Sequence, residues 1–203
     1  MSYPGFTQTL PATLRSKYLK ALVPIASQQD NFGHHRVDGI VALSTAQFFA
    51  NMIGRTMQRE SLNRMDWMEI HTRLPLINSL DHIGDSPFYR GIIEHETYSE
   101  WWDRYSLQSR YHEVETPAYF MTGWYDSLLH ETLKVFNGWT HKARTEKCKK
   151  LTKLVIGPWS HQIAPWGKSG NNLGPNGEYE GVSFGSSVQM DIVDIHLRWY
   201  EAR

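Results

Sequence analysis

The sequence predicts an α/β fold, a parallel sheet whose strands alternate with helices and which a long helical insertion interrupts once. Three observations carry that prediction. Ala21–Ala26 is a short apolar run bounded by polar residues, as in a buried parallel strand, Pro117–Gly123 is aromatic and apolar, and Leu151–Ile156 reads as a further strand. Leu128–Lys142 places Leu128, Leu129, Leu133, Phe136 and Trp139 at the spacing of an amphipathic helix. Strands and helices taken in that alternation argue for a parallel sheet.

Taken in order, Gly5–Lys20 carries helix formers after an early proline, which a helix start tolerates. Pro24 weakens the middle of the first strand, because it has no N–H to give to a ladder. From Phe32 to Glu113 the texture changes. Val41–Arg59 and Trp67–Leu80 have helical apolar spacing, punctuated by Pro75, Gly84-Asp85-Ser86-Pro87 and Gly91, which reads as a mostly helical insertion. The second strand ends in a turn at Trp124-Tyr125-Asp126. Arg144–Lys150 reads as a basic, solvated connector, and the third strand runs out into Gly157-Pro158-Trp159-Ser160-His161. Ala164–Phe184, rich in Gly, Asn and Ser, reads as a long surface loop, and Val188–Arg203 as a closing helix. The resulting division is 1–31 for the first part of the core, 32–113 for the insertion and 114–203 for the rest of the core.

Composition narrows the function. The 203 residues are 40% hydrophobic and 21% charged, which excludes a disordered tail, a collagen-like repeat and a disulfide scaffold. Lys+Arg 21 against Asp+Glu 21 leaves no basic footprint for a nucleic acid. No apolar run is long enough for a transmembrane helix, so no membrane partner is expected. Cys148 is alone and cannot form an intrachain disulfide. The start, Met1-Ser2-Tyr3-Pro4-Gly5, carries no secretory signal, and the compartment is not legible.

Functional groups in parallel sheets gather at the carboxyl ends of the strands. Asp126 follows the second strand and His161 the third, while Ser2 precedes a helix that opens on Pro and Gly. Their order, Ser…Asp…His, is that of α/β-hydrolases. The three types make chemical sense together. A serine hydroxyl must lose its proton to a positioned base as it attacks. An imidazole titrates near neutrality and can take that proton. A carboxylate holds the right tautomer and stabilises the imidazolium.

Three motifs then make a resemblance specific. Ser2-Tyr3-Pro4-Gly5 matches the last four positions of G-x-S-Y-x-G, Gly123-Trp124-Tyr125-Asp126 matches an acid motif G-W-Y-D, and Gly157-Pro158-Trp159-Ser160-His161 matches G-P-W-[ST]-H. Together they resemble the Xaa-Pro dipeptidyl-peptidase S15 and cocaine-esterase-like family of α/β-hydrolases. The resemblance implies a partial α/β-hydrolase fold with a helical cap insertion at 32–113. It implies Ser2 as nucleophile, His161 as general base and acid, Asp126 as orienting carboxylate and the Tyr3 backbone N–H as one oxyanion donor. Relatives take a second oxyanion donor from a tyrosine upstream of the nucleophile, and carry a jelly-roll domain after the hydrolase domain. The sequence therefore reads as a piece of a longer hydrolase, with little or no activity alone.

The implied reaction is acyl transfer to water from an ester, amide or peptide, with no cofactor and no metal. Trp124, Tyr125 and Trp159, with Trp101 and Trp102 from the insertion, are the candidate substrate-lining side chains. Where some relatives place acidic side chains for a substrate amine, just after the aspartate, this chain has Ser127-Leu128-Leu129. Asp30, Asp38, Glu94, Glu96 and Glu100 remain as candidates for that role. His34-His35 with Asp38 lacks a metal-site spacing such as H-E-x-x-H. Cys148 sits in a basic stretch that would lower its pKa, but no partner pattern surrounds it. Two rival readings stand: a non-catalytic fragment or binding module that retains the fold, and an N-terminal-nucleophile hydrolase using the Ser2 amine as base. The second leaves the Asp126 and His161 motifs unexplained.

Overall fold

The computed structural model describes residues 1–47, 65–81, 86–161, 178–179, 181–188 and 190–202. They form two compact units, Met1–Asp30 with Tyr105–Arg203, and Asn31–Arg104.

The first unit is built on parallel pairing. Helix α1 (Tyr3–Thr9) leads through a 3₁₀ turn, Leu10–Leu14, toward the extended segment 22–25. Strand β1 (Tyr119–Tyr125), helix α2 (Leu129–Lys142), helix α3 (Glu146–Leu151), strand β2 (Lys153–Ser160) and helix α4 (Ile192–Glu201) follow. Strand β1 pairs in parallel with β2 along one side. On its other side it meets segment 22–25 through two parallel bridges, Leu22 with Ala118 and Ile25 with Met121. The Pro24 carbonyl accepts the Met121 N–H at 3.2 Å, but Pro24 has no N–H to return, so the pairing divides into separate bridges.

Consecutive strand residues face opposite sides, and the two sides are covered by different helices. Phe120 packs with Val135 and Trp139 of α2 and Cys148 of α3. Met121 packs with Trp159 and with Ile192 and Trp199 of α4. That double cover is why Phe120 and Met121, adjacent on β1, are both apolar. The unit is a partial α/β-hydrolase fold.

Three expectations for this unit need correction. The helix expected over Gly5–Lys20 ends its α-helical part at Thr9, because Pro11 removes an amide and crowds the preceding turn. The basic stretch Arg144–Lys150 is not a bare connector. Thr145 Oγ1 accepts the Cys148 N–H at 3.2 Å and caps α3, whose Cys148 is fully buried while Lys147 and Lys150 face out. Within the expected loop Ala164–Phe184, Glu178–Tyr179 and Val182–Ser183 pair antiparallel, with Gly181 at φ 82°; 164–177 and 180 lie outside the described residues.

The second unit has short helices at Asn31–His35, 43–47, Trp67–Thr72, Pro87–Glu94 and Glu100–Asp103. The helix expected over Val41–Arg59 is described only to residue 47, and the one over Trp67–Leu80 stops before Pro75. A hairpin, Arg36–Val37 against Ile40–Val41, turns on Asp38 at φ 50° and Gly39 at φ 85°. Asp-Gly between β-branched residues is the usual signal for such a turn, and the helical reading passed over it. Ile70, Leu80, Tyr89, Ile92 and Trp102 form the core.

Candidate active site

Strand register assembles the first part of the site. Gly123 pairs with Gly157, the ladder then shifts, and Tyr125 pairs with Ser160. The next residue on each strand is therefore Asp126 on one side and His161 on the other. Glycine is required at Gly123, because a Cβ there would fall on the Trp159 carbonyl. Gly157 likewise leaves room for the Trp159 indole.

Asp126 and His161 meet. His161 Nδ1 lies 2.9 Å from Asp126 Oδ1, with the carboxylate side chain fully buried and the imidazole 37% exposed. The same oxygen accepts the Leu128 N–H at 2.7 Å, which turns the chain into α2. Asp126 Oδ2 is buried with no hydrogen-bond partner among the described residues. A carboxylate only accepts, so this bond assigns the proton to Nδ1 and leaves Nε2 as the basic, outward nitrogen.

Ser2 is held differently. Its backbone has φ 59° and ψ −138°, a region that costs of order 1–3 kcal/mol for a residue other than glycine. The surroundings impose it. The Ser2 N–H donates to the Ile25 carbonyl at 2.9 Å, while the Ser2 carbonyl accepts from Gly5 and Phe6 and opens α1. A Cβ on Gly5 would lie 2.9 Å from the Ile25 carbonyl, so α1 approaches segment 22–25 as only glycine allows. Ser2 thus stands, strained, at a sharp entry into a helix. Tyr3 occupies the first helical position, where a backbone N–H has no acceptor within the helix. No hydrogen bond joins Ser2 Oγ to His161 among the described residues.

The aromatic candidates divide. Trp124 and Tyr125 are 62% and 52% exposed and adjoin Asp126 in the chain, with Tyr125 edge-on to Phe184. Trp159 is buried in the core beneath the ends of β1 and β2, and packs the strands that present the pair. Trp102, expected to wall a cavity, is instead wholly buried in the core of the second unit, its Nε1 donating to the His95 carbonyl at 3.0 Å. Trp101 stacks on His95 beside it. Large apolar rings supply more stability buried than lining a cavity, which accounts for their place.

Of the acidic candidates, Asp30 is buried and accepts from Gln29 Nε2 at 3.0 Å and Ser106 Oγ at 3.3 Å. Asp38 sits at the hairpin turn, and Glu94, Glu96 and Glu100 belong to the second unit. His35 is buried there, and that burial, with His34 beside it, holds its pKa well below the ordinary value. Among the described residues no group of three His, Cys, Asp or Glu converges as metal ligands do.

One residue escaped the sequence reading. Glu131, on the first turn of α2, is buried and accepts the Gln29 N–H at 3.1 Å and the Lys134 ammonium at 3.0 Å. Beside it Thr132 donates to the Ser27 carbonyl at 2.9 Å, so the loop after segment 22–25 is tied to the helix that follows Asp126. The signal was in the spacing: Leu128, Glu131, Val135 and Trp139 share one helical face, and a carboxylate at a core position needs buried donors.

Comparison with known proteins identifies the family. The family model for X-Pro dipeptidyl-peptidase (S15 family) matches residues 1–163. The cocaine esterase of Rhodococcus sp. (strain MB1 Bresler) is 28% identical over 107 residues, covering 53% of this chain and 17% of the esterase. The crystal structure of an aminopeptidase from the marine sediment archaeon Thaumarchaeota archaeon matches with a TM-score of 0.65 at 18% identity, covering 98% of this chain and 33% of that one. The chain thus spans well under half the length of either relative. With the model matched across the strand ends that carry Asp126 and His161, the chain belongs to the X-Pro dipeptidyl-peptidase S15 family.

Proposed function

We propose that this chain carries the acyl-transfer machinery of a serine hydrolase acting on ester, amide or Xaa-Pro peptide bonds. The observation that carries the reading is the 2.9 Å bond from His161 to the buried Asp126 at the ends of adjacent parallel strands. In this reading Ser2 Oγ attacks the acyl carbon as its proton passes to His161 Nε2. Asp126, whose buried Oδ2 has no hydrogen-bond partner among the described residues, stabilises the imidazolium that forms. The Tyr3 N–H stabilises the oxyanion, the leaving alcohol or amine departs with the proton from His161, and water then hydrolyses the acyl-Ser2 ester by the same path. Trp124 and Tyr125 are the exposed rings beside Asp126 that would contact substrate.

A hydrolysis assay on an activated ester tests the reading. Slow turnover of p-nitrophenyl butyrate should fall to background in both Ser2→Ala and His161→Ala. Unchanged turnover in His161→Ala would overturn it. The second reading, a binding module that retains the fold, is favoured by the absence of a Ser2–His161 hydrogen bond among the described residues. It predicts no difference among the three proteins.

A further inference from the structure

The opposite end of the sheet is where the strands begin. All three parallel segments enter from there, at Lys20 before segment 22–25, Pro117 before β1 and Leu151 before β2. Around these entry points lies a cavity of about 340 Å³ whose lining includes Arg15, Lys17, Lys20 and Lys147.

The charge around this cavity is one-sided. None of the four cations has a carboxylate partner among the described residues. Lys17 instead sits 5.0 Å over the Tyr18 ring, which leaves its charge uncompensated. Glu115 is the acidic residue in the lining, and its carboxylate is bound to Arg144 Nε at 3.0 Å. In a chain whose formal charge sums to zero, four unmatched cations around one concavity form a local positive field. Arg15 is also held at φ 52°, in the left-handed region that favours glycine, where the 3₁₀ turn ends.

We propose that this cavity binds an oligophosphate group. The chemistry selects that class: a guanidinium suits phosphoryl oxygens, and several ammonium groups match several charges on adjacent phosphorus centres. A single carboxylate would engage one of the cations and leave the rest unmatched. The apolar wall at Pro117 and Leu151 leaves room for whatever the phosphates are attached to. The site is independent of hydrolysis, because Asp126 and His161 lie at the other ends of the same strands.

Calorimetric titration of the 203-residue chain with inorganic pyrophosphate at low ionic strength tests the assignment. Saturable binding is expected, at least about tenfold weaker once salt shortens the Debye length to roughly 8 Å. The double variant Lys20→Glu/Lys147→Glu should weaken it by at least about tenfold, because each change places repulsion in the cavity. The charge-reversing Arg73→Glu, outside the lining, should not. Circular dichroism checks folding, and Arg15→Gln/Lys17→Gln provides a second pair if the first fails to fold. Adenosine triphosphate in a parallel titration separates a free oligophosphate from one carried on a larger molecule: equal affinity supports the former, tighter binding the latter. Absent saturable heat, or equal affinity in the cavity variants and Arg73→Glu, would overturn the proposal.

Discussion

Asp126 Oδ1 accepts from two donors, His161 Nδ1 at 2.9 Å and Leu128 N at 2.7 Å, although 35 residues separate the aspartate from the histidine. A single oxygen thus fixes both the imidazole and the turn into α2. The irregularity after Gly123 lets this happen, because without it Asp126 and His161 would not emerge side by side.

The two jobs of that oxygen can be separated. Asp126→Asn keeps an oxygen for the Leu128 N–H but offers His161 a weaker partner, or the wrong tautomer. Folding should be nearly unchanged, while the acylation rate of Ser2 falls by a large factor, up to about 10⁴. Asp126→Ala should also lose about 1 kcal/mol of stability with the turn bond. Urea unfolding alongside acylation kinetics measures both; a folded Asp126→Asn protein with undiminished acylation would remove the aspartate from the mechanism.

Gly5 is the second sensitive point. A methyl group there meets the Ile25 carbonyl, a backbone atom that cannot swing away. Gly5→Ala should destabilise the first unit by about 1–3 kcal/mol, in the range of overpacked contacts. It should also slow Ser2 acylation, because the carbonyl against which Gly5 packs is the one that accepts the Ser2 N–H. Equal urea midpoints for Gly5→Ala and the unsubstituted chain would show that the close approach is not enforced.

Much of this was legible in the sequence, and the reasons differ from residue to residue. Gly123, Gly157 and Gly5 stand in their motifs because neighbouring backbone or indole occupies the space of a Cβ, so the motif reports a packing constraint. Phe120 and Met121, adjacent and both apolar, report a strand covered on both faces. Trp101 and Trp102 misled because a ring that lines a cavity and a ring that fills a core have the same pattern in one dimension. Lys147, Lys149 and Lys150 hid the helix around Cys148, since a single buried residue in a charged run leaves little periodicity. Glu131 was passed over because its partner, the Gln29 N–H, lies far away in sequence.

Cys148 gives a pH-dependent prediction. Burial pushes its thiol up to about 11, with Glu115 adding to the rise while the Thr152 hydrogen bond and Lys149 oppose it. The basic flank therefore does not make it reactive. Iodoacetamide at pH 8 should modify the folded chain on the order of 10² times more slowly than the unfolded chain. The sign for stability follows from linkage. Below the ordinary value of 9.0 the thiol is protonated whether folded or not, and folding is unaffected. As pH rises from there toward about 11 only the unfolded chain ionises, so stability declines, and Cys148→Ala should lessen that decline. Equal alkylation rates in the folded and unfolded chains would contradict the buried placement.

The most direct test of the central claim is covalent labelling with a fluorophosphonate, located by peptide mass spectrometry. The account predicts one adduct, on Ser2, formed more slowly by at least about tenfold in His161→Ala, since the hydroxyl then lacks its base. Labelling at another residue, no adduct at all, or an unchanged rate in His161→Ala would contradict the assignment of Ser2, His161 and Asp126 to one catalytic unit.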